Sequence, residues 1–96
     1  MHIEIYTKSY CPYCHRAKRL LEARDLAYTE YDVTFDTAGQ REMITRTAGR
    51  TVPQIIIDGK PVGGSDELIV LDQTGKLHPR EQPLNAPDDN RLDQTN

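Results

Sequence analysis

The sequence predicts an α/β fold in which a four-stranded mixed sheet is flanked by helices, in the order β-α-β-α-β-β-α. In the first half of the chain, segments with strand-like alternation are separated by segments with helical spacing of apolar residues. This pattern is typical of parallel strand–helix–strand units. In the second half, Asp58-Gly59 is a strong hairpin-turn signal between two further strand segments, which are therefore expected to be antiparallel. A last apolar helical segment completes the order.

The first strand and helix lie at the N-terminus. Ile3 and Ile5 alternate with polar residues, which indicates a strand that ends near Thr7. A helix is expected over residues 12–24, because Pro12 suits a first helical turn and apolar residues follow at core-facing spacing. These apolar residues are Ala17, Leu20 and Leu21.

The middle of the chain predicts a second strand and a second helix. Residues 28–33 alternate between apolar and polar side chains, as strands do. Asp36 or Thr37 is expected to cap a helix that runs to about Thr47, and Gly49 is expected to end it. The inward-facing residues of this helix are predicted to be Met43 and Ile44.

The last third predicts a hairpin and a closing helix. Residues 52–57 are apolar enough for a central strand, and residues 61–62 are its short partner, interrupted by Gly63-Gly64. Ser65 or Asp66 is expected to cap the final helix. This helix is expected to run through the apolar residues Leu68, Ile69 and Leu71. It is expected to end near Gly75.

Size and charge limit what the chain can be. Its 96 residues suit one domain, expected over residues 1–78, with a tail at 79–96 that is expected to be flexible and non-catalytic. The mild net charge of -3 argues against a nucleic-acid surface. No apolar run reaches membrane-spanning length and no signal peptide is recognisable, so a cytoplasmic protein is expected.

Cys11 and Cys14 are the two cysteines of the chain. A disulfide between them would close a very short loop, so it would add little stability as a structural cross-link. A structural zinc site would need two further ligands, and the candidates His2, His15 and His78 lack ligand-pair spacing. No metal site is therefore expected, and a redox couple is favoured.

The position of the cysteine pair also favours redox chemistry. The pair follows the first predicted strand and opens the first predicted helix. Free backbone N–H groups and the positive end of the helix dipole favour an anion there, so Cys11 is expected to be the thiolate and Cys14 the waiting thiol. Lys8 adds positive potential. Further basic residues, expected to form a solvated helix face, are Arg16, Lys18 and Arg19.

Four segments match the motifs of one family in the same order: Tyr6-Thr7-Lys8, Cys11-Pro12-Tyr13-Cys14, Thr51-Val52-Pro53-Gln54 and Gly63-Gly64-Ser65-Asp66. Over about residues 2–78 the chain resembles the glutaredoxins, and most the small bacterial glutaredoxin 3 type with two active-site thiols. The resemblance implies a thioredoxin-like fold and a monomer. It also implies glutathione-dependent reduction of protein disulfides and glutathionylated proteins, with ribonucleotide reductase among the expected partners.

The resemblance further implies a glutathione-binding groove. Pro53 would follow a cis peptide bond, placing the Val52 backbone beside Cys11 to pair with the cysteine moiety of glutathione. The N–H groups of Ser65 and Asp66 would bind the γ-glutamyl carboxylate, with the Asp66 carboxylate near its amino group. From the residues alone, a trans Pro53 and a simple helix cap at Ser65-Asp66 are equally allowed.

The remaining groove residues follow from the same resemblance. Gly63 and Gly64 would let the backbone approach the ligand, and Thr51 would line the groove. Lys8 would meet the glycine carboxylate of glutathione, with help from Gln40.

Two other functions fit parts of the sequence. One is a redoxin reduced directly by a flavoprotein thioredoxin reductase, against which the implied glutathione groove weighs. The other is an iron–sulfur carrier in which a dimer holds a cluster through Cys11 and glutathione. Relatives of that kind usually lack proline after the first cysteine, so Pro12 weighs against it.

Overall fold

The computed structural model describes residues 1–77, so the predicted tail at 79–96 lies outside the described residues. The described part contains three helices and four strands in the predicted order. They are β1 (Ile3–Thr7), α1 (Pro12–Ala23), β2 (Thr29–Asp32), α2 (Thr37–Thr47), β3 (Gln54–Ile57), β4 (Lys60–Gly63) and α3 (Ser65–Gln73).

The four strands form one mixed sheet in the order β2-β1-β3-β4. β1 pairs in parallel with β2 and antiparallel with β3, and β3 pairs antiparallel with β4. The predicted four-stranded α/β architecture is therefore confirmed. Because β1 and β2 are parallel, the loops that follow them, which lead into α1 and α2, lie at the same edge of the sheet.

The sheet has a hydrophobic core on each face. The residues packed with α1 and α3 include Ile3, Ile5, Ala17, Leu21, Ile55 and Leu68. Those packed with α2 are Tyr6, Val33, Met43 and Ile56. Ala17, Leu21, Met43 and Leu68 are buried as predicted, because each lies on the apolar stripe of its helix. This packing fixes the N-terminal ends of α1 and α3 beside each other.

A buried ion pair ties α2 to the sheet. Glu4 in β1 is 6% exposed and accepts hydrogen bonds from Arg46 at 2.9 and 3.0 Å and from the Tyr31 hydroxyl at 2.8 Å. The Arg46 hydrogen bonds lower the pKa of Glu4 despite its burial. A charge buried among such partners costs stability if either partner is removed, so this pair fixes how α2 sits on the sheet.

α2 ends at Thr47 as predicted, but two predicted capping residues are wrong. Ala48, with a positive φ of 62°, caps α2 in place of Gly49. Gly49 meets a different need, because a Cβ at that position would overlap the side-chain amide of Gln54. At α3 the cap is Gly64 and not Ser65 or Asp66, because the Glu67 carboxylate returns to the Gly64 N–H at 2.8 Å.

Several other ends differ from the prediction by one or two residues. β3 begins at Gln54, because Pro53 has no N–H to give to the sheet. β2 is one residue shorter than predicted at each end, and β4 is one residue longer at each end. α1 ends at Ala23, one residue before its predicted end, and α3 ends at Gln73, before the predicted Gly75.

Candidate active site

Cys11 is the N-cap residue of α1. Its backbone is extended (φ -94°, ψ 113°), and Pro12 occupies the first helical position, where a missing N–H costs no hydrogen bond. The Cys11 sulfur accepts a hydrogen bond from the Cys14 N–H at 3.3 Å and donates one, as a thiol, to the Val52 carbonyl at 3.5 Å. A sulfur that caps a helix lies where free N–H groups and the helix dipole stabilise a thiolate.

Cys14 is one helical turn further along α1 and is fully buried. Burial in the first place, and hydrogen bonding to Cys11 in the second, raise the pKa of Cys14 to about 12. Both cysteines are free thiols in this structure. The pair therefore combines a sulfur at the helix start with a protonated thiol held behind it, as the sequence predicted.

A hollow of about 350 Å³ reaches Val52, whose carbonyl accepts the hydrogen bond from the Cys11 thiol, although neither cysteine lines the hollow itself. Its lining residues come from the start of α1, the segment before β3 and the start of α3, and they are Tyr13, Thr51, Val52, Pro53, Gly64, Ser65, Asp66 and Glu67. All of them except Glu67 were predicted as site residues from the sequence. The fold thus brings three segments that are distant in the sequence to one place.

The segment before β3 lines one side of the hollow. The Val52-Pro53 peptide bond is cis, as the resemblance implied. The Val52 carbonyl accepts from the Cys11 thiol, whereas no partner within residues 1–77 accepts from the Val52 N–H. Gly64 passes close to this segment, since a Cβ there would lie 3.3 Å from the Pro53 carbonyl oxygen.

The start of α3 lines the other side. With Gly64 as the cap, Ser65 and Asp66 occupy the first two helical positions, whose N–H groups have no partner inside a helix. These N–H groups and the positive end of the helix dipole suit a carboxylate. Glu67 was missed in the sequence, although an acidic residue three positions after a helix cap is a recognisable signal.

Arg16 is exposed, as predicted for a solvated helix face, but it also has specific partners that the prediction lacked. Its Nε donates to Ser65 Oγ at 3.0 Å and its Nη2 donates to Asp66 Oδ1 at 3.1 Å. Its guanidinium carbon lies 5.0 Å from the centre of the Tyr13 ring. Arg16 is therefore held by three residues of the hollow.

Lys18 also has partners, whereas Arg19 is exposed as predicted. The Lys18 ammonium donates to the Glu30 carboxylate at 2.9 Å, and the Thr7 hydroxyl donates to the same oxygen at 2.7 Å. This contact joins α1 to β2. Sequence analysis could not foresee it, because the partners are brought together only by the parallel pairing of β1 and β2.

Lys8 and Gln40 do not line the hollow. The Lys8 carbonyl accepts from the Cys11 N–H at 3.2 Å, so the residue supports the turn into α1. The Gln40 side-chain nitrogen donates to the Val33 carbonyl at 2.7 Å.

Within residues 1–77, no group of three or more His, Cys, Asp or Glu side chains is arranged to hold a metal ion. None of the helices over the same residues is both long and apolar enough to cross a membrane.

Known proteins are similar to this chain in sequence. The family model described as Glutaredoxin matches residues 3–62. Glutaredoxin 3 of Escherichia coli strain K12 is 48% identical over 77 residues, which cover 80% of this chain and 93% of that protein. Glutaredoxin 1 of Rickettsia typhi is 44% identical over 77 residues, covering 78% of this chain and 74% of that protein.

Solved structures agree with the sequence comparison. A crystal structure of a buckwheat glutaredoxin–glutathione complex superposes with a TM-score of 0.71 at 32% identity, covering 78% of this chain and 71% of that one. A solution structure of glutaredoxin from Brucella melitensis gives a TM-score of 0.70 at 40% identity, covering 80% of this chain and 84% of that one. This likeness confirms the predicted thioredoxin-like fold.

Proposed function

Since the chain belongs to the glutaredoxin family and is a thiol–disulfide oxidoreductase, we propose that glutathione is the reductant that returns its oxidised form to the dithiol. The observation that carries the proposal is the hollow beside Cys11. It joins a backbone N–H at Val52, without a partner in residues 1–77, to the N-terminus of α3.

The hollow offers complementary groups for most of glutathione. The Val52 N–H and carbonyl suit strand-like pairing with the cysteine moiety, whose sulfur then lies beside Cys11. The N–H groups of Ser65 and Asp66 suit the γ-glutamyl carboxylate, and the Asp66 carboxylate suits the amino group. A volume of about 350 Å³ is within the usual range for small-molecule sites.

The glycine end of glutathione would lie at the open side of the hollow. Thr51 lines that hollow, and Lys8 precedes the Cys11 turn, so the Lys8 ammonium is our candidate for the glycine carboxylate. Gln40 is our second candidate for that carboxylate, since its amide nitrogen has two N–H groups and the Val33 carbonyl accepts from one of them.

The proposed cycle uses the two cysteines unequally. The Cys11 thiolate attacks a substrate disulfide, forms a mixed disulfide and releases the other sulfur as a thiol after it takes up a proton. With a protein mixed disulfide, Cys14 loses its proton and attacks Cys11, which gives the Cys11–Cys14 disulfide and the reduced protein. The thiolate of glutathione then attacks Cys11 and releases Cys14.

A second glutathione completes the cycle. Its thiolate attacks the glutathione sulfur of the Cys11 mixed disulfide, and the new S–S bond makes glutathione disulfide. The electron pair of the broken bond leaves on the Cys11 sulfur, which the start of α1 stabilises as an anion. For a glutathionylated protein, Cys11 attacks the glutathione sulfur, the protein sulfur leaves and takes up a proton, and the same last step then restores Cys11, so Cys14 is not needed.

Further parts of the proposal concern the setting. We propose glutathionylated proteins and protein disulfides as substrates, including the disulfide of ribonucleotide reductase. We also propose that the protein is a cytoplasmic monomer. It would comprise a domain over residues 1–78 and a tail. No resident metal or cofactor takes part in the proposed cycle.

The test compares two electron-donor systems on the full-length protein. Wild-type protein is supplied with a small glutathione mixed disulfide and NADPH, together with either glutathione plus glutathione reductase or thioredoxin reductase alone. We expect NADPH oxidation with the first system only, and none with Cys11→Ser in either. Turnover with thioredoxin reductase and none with glutathione would contradict the proposal and favour the flavoprotein-reduced alternative.

A further inference from the structure

Arg16 joins the helix that carries the cysteines to the start of α3. It donates to Ser65 Oγ at 3.0 Å and to Asp66 Oδ1 at 3.1 Å, and it lies against the ring of Tyr13. All three partners line the hollow beside Cys11. Resting on the glutathione-dependent function above, we propose that Arg16 is a positioning residue that sets the affinity of the site for the γ-glutamyl group of the reducing thiol.

The first reason is electrostatic. The first turn of α3 carries two carboxylates, Asp66 and Glu67, where the ligand carboxylate must also bind. A free carboxylate in this turn is attracted to the same N–H groups and helix dipole as the ligand, so it competes with the ligand. Glu67 is held by the Gly64 N–H, and Asp66 is held by Arg16. Arg16 therefore keeps the N–H groups of Ser65 and Asp66 open and offsets one negative charge.

The second reason is geometric. Arg16 uses two nitrogens of its planar guanidinium on two consecutive residues, which fixes the Ser65 hydroxyl and the Asp66 carboxylate together. The Asp66 side chain is otherwise free to move, since 86% of it is exposed. A carboxylate fixed before the ligand arrives loses less conformational entropy when it binds the ligand ammonium, which improves affinity.

The chain contains a matched control for this bridge. Arg24 joins α1 to α3 through Asp72, with Nη2 and Oδ2 2.9 Å apart. The Arg16 and Arg24 side chains are similarly exposed, at 45% and 47%. Neither Arg24 nor Asp72 lines the hollow beside Cys11. If Arg16 only held the two helices together, replacing either arginine would have similar consequences.

The experiment measures KM and kcat for the reducing thiol with Arg16→Ala, Arg16→Lys and Arg24→Ala, using glutathione, γ-glutamylcysteine and cysteine. We expect Arg16→Ala to raise KM for the two γ-glutamyl thiols about three- to fivefold, the upper part of the range for an exposed charged contact. Its kcat and its rate with cysteine should stay within about twofold of wild type. Arg16→Lys should show a smaller rise, because an ammonium cannot reproduce the two-pronged contact. Arg24→Ala should match wild type.

Each outcome has one meaning. An unchanged KM for glutathione in Arg16→Ala would overturn the proposal, as would an equal loss with cysteine or an equal rise in KM for Arg24→Ala. The unfolding midpoints of all variants show whether a loss of fold is responsible. If wild-type protein does not turn over with glutathione at all, the proposed function itself fails. If wild type turns over normally and only the predicted KM change is missing, this inference alone fails.

Discussion

The two cysteines of the active site lie three positions apart and are both buried, at 7% and 0% exposure, yet only one of them caps the helix. Cys11 caps α1, contacts the Val52 carbonyl and lies beside the hollow. Cys14 lies in the helix body, fully buried, with a pKa raised to about 12. The difference teaches that one helical turn is enough to separate a sulfur that caps the helix from a thiol that burial keeps protonated.

The core explains why this separation is stable. Cys14 shares the buried face of α1 with Ala17 and Leu21, which pack against the central strands. The helix cannot rotate to exchange the two sulfurs without exposing these residues to water. The chemistry of the pair is thus set by the packing of α1 and not by the cysteines alone.

Alkylation should show the largest contrast between the two sulfurs. A raised pKa lowers the ionised fraction of a thiol at pH 7 below the roughly 3% of a free thiol, and only the thiolate reacts quickly. We expect iodoacetamide at pH 7 to modify Cys11 and to leave Cys14 unmodified at least tenfold longer than a free thiol. Because the Cys14 pKa is raised, its reaction should accelerate as the pH rises.

Peptide mass spectrometry over time measures this contrast. In urea both cysteines should react at similar rates, which shows that the difference comes from the fold. Comparable labelling of Cys11 and Cys14 in the folded protein at pH 7 would contradict the expected difference in reactivity between the two thiols.

Stability should distinguish the same two positions by a smaller amount. Serine is a favourable N-cap, so Cys11→Ser should leave the free energy of unfolding unchanged or slightly higher. Cys14→Ser places a hydroxyl at a fully buried position and should lower that free energy by about 1–3 kcal/mol. Urea unfolding of the reduced proteins measures both values. Equal values for the two variants would mean that Cys14 is less buried than the structure has it.

Local patterns in the sequence predicted most of the fold. The alternation around Ile3 and Ile5, the proline at position 12 and the Asp58-Gly59 turn each depend on neighbouring residues, and each element lies where it was expected. Helix caps were less predictable, because they depend on backbone conformation and side-chain contacts that residue preferences do not settle. Ala48 adopts the left-handed conformation that ends α2, whereas Gly49 lies against the side chain of Gln54.

The site, like the fold, has a part that could be predicted from the sequence and a part that could not. The roles of Cys11 and Cys14 follow from their positions in one helix, and family motifs indicated the residues that line the hollow. The bridge from Arg16 to Ser65 and Asp66 spans 49 and 50 positions in the sequence. No local pattern encodes such a contact, because it exists only once α1 and α3 pack side by side.

The most direct test of the account is the activity of Cys14→Ser on two substrates, with glutathione as reductant. A glutathionylated protein needs only Cys11, so we expect its reduction to stay within about threefold of wild type. An intramolecular protein disulfide needs Cys14 to release the mixed disulfide, so we expect its reduction to fall by about tenfold or more. If the folded variant lost both activities equally, or kept both, the division of labour between the two cysteines would be contradicted.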